Sequence, residues 1–66
     1  MAFADKLVAI RRAHNLTQED LAAKLYVTRQ AVSRWERGEV TPGIDMMKLI
    51  GAVTGEPLSH LLEMPE

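Results

Sequence analysis

The chain has no cysteine, so neither disulfides nor thiolate metal sites are available to hold it together. Aromatic residues are limited to one Phe, one Tyr and one Trp while helix-favouring residues are frequent, which argues against a sheet. No apolar run approaches the length of a membrane span. The N-terminus lacks the basic segment and apolar stretch of a secretory signal, so a cytoplasmic location is expected. Paired carboxylates, a nucleophile–base set and a glycine-rich phosphate loop are also missing, and neither an enzyme nor a cofactor or metal is expected. His14 and His60 stand alone in sequence and are expected at the surface.

What remains is 66 residues, 47% of them hydrophobic, rich in Ala, Leu, Met, Lys, Arg and Glu. That size allows a single domain spanning residues 1–66, and the apolar content is too high for disorder. The net charge of −1 hides an uneven distribution. Residues 1–37 hold Lys6, Arg11, Arg12, Lys24, Arg29, Arg34 and Arg37 against Asp5, Glu19, Asp20 and Glu36, a net +3. Residues 38–66 hold Lys48 against Glu39, Asp45, Glu56, Glu63 and Glu66, a net −4. One half can therefore face phosphates while the other stays acidic.

Helical periodicity runs through the chain. Phe3, Leu7 and Ile10 form one stripe of a first helix over about residues 2–13, with His14-Asn15 suited to end it. Thr17 reads as an N-cap, with Asp20 in the reciprocal capping position and Leu16 and Leu21 placed as a hydrophobic staple. Thr28 repeats the pattern for a third helix, with Val27 and Val32 as its staple and Gly38 as its terminator. On that helix Val32 and Trp35 point one way, and Gln30, Ser33, Arg34 and Arg37 the other. Pro42 and Gly43 open a fourth helix that runs to about Thr54, and Gly55 stops it. Pro57 suits the first turn of a short fifth helix carrying Leu58, Leu61 and Leu62.

The stretch Leu16-Thr17-Gln18-Glu19-Asp20-Leu21-Ala22, then Val27-Thr28-Arg29-Gln30-Ala31-Val32-Ser33-Arg34-Trp35-Glu36-Arg37-Gly38, then Pro42, resembles the Cro/C1-type (XRE) helix-turn-helix family. The resemblance implies an all-α, compact, five-helix, lambda-repressor-like DNA-binding domain. Its helix-turn-helix would cover about residues 17–37 and its recognition helix about 29–37. Three positions depart from the family pattern. Tyr26 stands where Gly is usual in the turn, Gly51 where Ala is common in the fourth helix, and Glu56 where an apolar residue is usual.

The implied function is sequence-specific binding of double-stranded DNA by a transcriptional regulator, expected to be a repressor acting as a dimer. Arg29, Gln30, Ser33 and Arg34 are the expected base-contacting residues, because a glutamine amide pairs bidentately with adenine and a guanidinium with guanine. Gln18, Thr28 and Arg37 are the expected contacts to the DNA backbone. The resemblance also implies a structural ion pair between Arg11 and Glu36. Apolar residues on more than one stripe of the fourth helix (Ile44, Met46, Met47, Leu49, Ile50 and Val53), with the leucines that follow, suggest a homodimer through the fourth and fifth helices. The resemblance also points to a bacterial or phage-type, nucleoid-associated protein. The alternative is an antitoxin or other protein-interaction module that neutralises a partner toxin, and a third reading is an inert helical fragment of a larger regulator.

Overall fold

The computed structural model describes residues 2–57, 60 and 61. The described residues form four helices: α1 (Phe3–Ala13), α2 (Gln18–Leu25), α3 (Arg29–Glu36) and α4 (Ile44–Thr54). No strand occurs among the described residues.

Side chains set the starts of α2 and α3. Thr17 opens α2 with a complete capping box: its Oγ1 accepts from the Asp20 N–H at 3.0 Å, and its own N–H donates to Asp20 Oδ2 at 3.0 Å. Thr28 opens α3 by accepting from the Ala31 N–H at 3.2 Å. Ala2 and Gly43 precede α1 and α4 without a side-chain cap. In α1, Asp5 in the first turn and Arg11 and Arg12 in the last suit the helix dipole.

The first three helices end alike. A left-handed residue follows each one: Asn15 (φ 56°), Tyr26 (φ 58°) and Gly38 (φ 75°). The next N–H then donates back to a carbonyl five residues earlier: Leu16 to Arg11, Val27 to Ala22 and Glu39 to Arg34, each at 3.0 Å. This closure satisfies carbonyls that the helix end would otherwise orphan. Glycine adopts the required conformation without strain and asparagine with little, whereas a tyrosine has to be held there.

The core gathers one face from every helix. Leu7 of α1, Leu21, Ala22 and Leu25 of α2, Val32 and Trp35 of α3, and Ile50 of α4 are buried together with Leu61. Phe3, Ile10, Leu16 and Val27 pack against this cluster as partly buried neighbours. Ala22, only 3% exposed, lies where a larger side chain would push the elements around it apart.

The region after α4 differs from the sequence expectation: four helices are found among the described residues, not five. Residues 58, 59 and 62–66, which include Leu58 and Leu62 of the expected fifth helix, lie outside the described residues. His60 and Leu61 have helical conformation, with the His60 N–H donating to the Pro57 carbonyl at 3.0 Å. Lys6 donates to the His60 carbonyl and ties this segment to α1. His14 and His60 are both exposed.

Within α4, Met47, Ile50 and Thr54 are buried, and the Thr54 hydroxyl donates to the Ile50 carbonyl at 2.6 Å. Met46, Leu49 and Val53 are partly buried against the core, so much of the helix's surplus apolar surface is used within the subunit. Val40 and Ile44 remain half-exposed.

Candidate nucleic-acid interface

Helix α3 is sharply two-sided. Val32 is 0% exposed and Trp35 7%, which anchors the rear of the helix in the core. Gln30 and Arg34 are exposed at i and i+4 on the front, and their side chains make no hydrogen bond among the described residues. An amide with both donor and acceptor stands there beside a five-donor guanidinium fork, both oriented to solvent. Val32 and Trp35 are buried in one cluster with Leu21, Ala22 and Leu25, which ties this face to α2.

Arg11 of α1 reaches α3 beneath that face. Its Nε donates to Glu36 Oε2 at 2.6 Å, its Nη2 to Glu36 Oε1 at 3.2 Å, and its Nη1 to the Leu16 carbonyl at 2.8 Å. The two side chains are only 13% and 6% exposed. The hydrogen bond to Glu36 raises the Arg11 pKa above its already high ordinary value, so this cation is permanent.

Gln18, in the first turn of α2, extends the chain of bonds outward. Its Nε2 donates to Glu36 Oε1 at 3.0 Å, and its Oε1 accepts from Arg29 Nη1 at 3.4 Å. The chemistry of the neighbours fixes the orientation of this amide. A carboxylate can only accept and a guanidinium can only donate, so the amide nitrogen must face Glu36 and the oxygen Arg29. Arg11, Glu36, Gln18 and Arg29 thus form one connected series across α1, α3 and α2. Among the four, Arg29 is the exposed terminus.

A second cluster closes the other end of α3. Arg37 Nε and Nη2 donate to Glu39 Oε2 and Oε1 at 2.8 and 3.3 Å, and Nη1 donates to Ser33 Oγ at 2.9 Å. Hydrogen bonding to Arg37 holds the Glu39 carboxyl below the usual carboxylate range, and the nearby charge of Arg34 acts in the same direction. Ser33 is half-buried, and its oxygen is occupied by Arg37. Thr28 is exposed and engaged in capping.

Apart from Thr28, which caps α3, the residues expected to meet DNA fall into three groups. Gln30 and Arg34 are open. Arg29 and Gln18 are joined at the α2–α3 corner. Ser33 and Arg37 are joined to each other and to Glu39. The sequence reading had assigned Glu39 no part in this face. The available signal was an acidic residue two positions after an arginine across a helix-ending glycine, a spacing that returns the carboxylate towards the last helical turn.

Comparison with known proteins agrees with this geometry. A helix-turn-helix family model matches residues 7–61. The chain is 41% identical over its whole length to the HTH-type transcriptional activator BcrR of Enterococcus faecalis, and covers 32% of that protein. It is 48% identical over 57 residues to an uncharacterized HTH-type transcriptional regulator of Methanocaldococcus jannaschii, covering 86% of each chain. The chain thus spans about a third of the first relative and most of the second. No solved structure matches it. With capped helices, a buried α2–α3 seam and matched sequence all in register, the chain belongs to the Cro/C1-type (XRE) helix-turn-helix family.

Proposed function

We propose that the protein binds double-stranded DNA sequence-specifically and regulates transcription, with α3 as its recognition helix. In this reading residues 1–66 act as a single domain, and the helix-turn-helix covers about residues 17–37. The observation that carries the proposal is the two-sidedness of α3: Val32 and Trp35 fixed in the core, Gln30 and Arg34 exposed on the opposite face. A rigid helix presenting forked donors and acceptors is what reading the major-groove edge requires. The names of both relatives, as transcriptional regulators, support the same reading.

Gln30 and Arg34 read bases directly. Arg29 and Ser33 contribute beside them from the two ends of the face. Gln18, Thr28 and Arg37 border it on the side of the phosphates. The protein acts as a homodimer through the α4 side on a pseudo-palindromic operator, with half-sites about 34–36 Å apart or a multiple of that. Repression follows where the operator overlaps a promoter; an upstream operator gives activation, the role named for the Enterococcus faecalis relative. The protein works in the cytoplasm, at the nucleoid.

Selection from random duplexes, followed by fluorescence anisotropy on the winning sequence, tests the proposal. Gln30→Ala and Arg34→Ala should each cost about 1–3 kcal/mol of binding and relax preference at one base position. Absence of saturable binding to any duplex at low salt removes the reading. Masking of a protein partner, the alternative, has the half-exposed Val40 and Ile44 in its favour. It requires protein binding that Val40→Ser and Ile44→Ser abolish while Gln30→Ala and Arg34→Ala leave it intact.

A further inference from the structure

The DNA-facing row of α3 ends in a cation that is already taken. Arg37 continues the row of Gln30 and Arg34, yet its Nε, Nη1 and Nη2 are all engaged, two of them by the Glu39 carboxylate. The pair is exposed, 55% and 52% for the two side chains, so water and salt weaken it and it can open. A phosphate that approaches Arg37 must replace Glu39 as its partner, and meets the carboxylate's negative charge on the way.

We propose that Glu39 is a specificity-determining residue of the DNA-binding face, occupying Arg37 so that the charge of the row is withheld from phosphates met out of register. The proposal rests on the DNA-binding reading given above. Phosphate attraction is independent of sequence, whereas Gln30 and Arg34 discriminate between bases. Where Gln30 and Arg34 are in register, Arg37 stays with Glu39 and touches no phosphate. Out of register a phosphate can claim it only by displacing that carboxylate, so the withheld contact is lost by the wrong duplexes alone. Arg37 in turn becomes a positioning residue. By donating to Ser33 Oγ it leaves that hydroxyl its own proton to give, so Ser33 faces DNA as a donor.

The test uses the full chain with the selected duplex and a scrambled duplex of equal length, by anisotropy from about 50 to 200 mM salt, the range over which phosphate contacts are strongly screened. Glu39→Gln should bind the scrambled duplex several-fold more tightly at the low-salt end. Its dependence of log affinity on log salt should steepen by about 0.9, the contribution of one further phosphate contact. The ratio of selected to scrambled affinity should fall. Adding Arg37→Gln should return slope and ratio to the wild-type values, whereas a general effect of removing negative charge would persist in the double variant. Wild-type slope and ratio in Glu39→Gln, or gains that survive Arg37→Gln, overturn the proposal while leaving DNA binding intact. Wild-type protein that binds no duplex overturns both. Glu39 and Arg37 are exposed, so neither substitution disturbs the core.

Discussion

Tyr26 spends backbone strain where its side chain gains almost nothing. It holds φ 58° and ψ 39°, a region that disfavours bulky residues, while its ring is 90% exposed. Tyr26→Gly relieves the strain at the cost of added freedom in the unfolded chain, and should stabilise the protein by about 0.5–1 kcal/mol in urea denaturation. Arg11 is the opposite case. Arg11→Ala leaves the Glu36 carboxylate, whose side chain is 6% exposed, with only the Gln18 amide as partner. The expected loss is about 3 kcal/mol, a large share of the stability available to so short a chain, and a lowered unfolding midpoint should report it. The sequence carried the Arg11–Glu36 pairing only through family resemblance, because 25 residues separate the partners. The turn of the Gln18 amide was not legible at all, since it follows from which neighbours the fold brings to its two ends.

Among the elements, helix starts were the most legible feature. Thr17, Asp20 and Thr28 act on backbone groups within three residues, so the sequence contains the whole interaction. The capping box also gives a pH dependence. Bonds from the Thr17 N–H and hydroxyl hold the Asp20 carboxyl below its ordinary range. A group with a folded pKa below its unfolded value contributes stability in full above the ordinary carboxylate range and loses it as pH falls through the folded value. Acid titration of unfolding stability should therefore show a shallower decline for Asp20→Asn than for the wild type, alongside a lower plateau at neutral pH. Gly51 was legible only in part. Helix propensity alone makes it a weakness that alanine would repair by up to about 1 kcal/mol. A Cβ at this position, however, would lie 2.9 Å from the Glu56 carbonyl oxygen and 3.7 Å from Leu61 Cδ1. The backbone contact cannot be relieved by rotating a side chain, so Gly51→Ala should destabilise the protein by more than about 1 kcal/mol, readable as a lower melting temperature. The departure from the family's usual alanine thus belongs with the close approach of the segment after Gly55.

For the whole molecule, apolar periodicity identified the core almost residue by residue, because each amphipathic helix has one face to bury. Less legible was how far the extra apolar residues of α4 would be absorbed within the subunit: Met46, Leu49 and Val53 pack inward, while Ile44 stays half-exposed. The charge division was plain from sequence, but its tuning was not. Arg37 reads as one more positive charge until the chain turns at Gly38 and brings Glu39 against it.

The placement of Trp35 has an optical consequence. It is the only tryptophan, 7% exposed, and it sits on the buried rear of the same helix that presents Gln30 and Arg34. Its fluorescence is therefore an unlabelled gauge of whether α3 is seated. Native emission should be blue-shifted and poorly quenched by acrylamide, and both properties should vanish together as urea releases the helix. A duplex docking on the opposite face should leave the emission wavelength unchanged, so the same indole separates loss of a binding contact from loss of the platform that carries it.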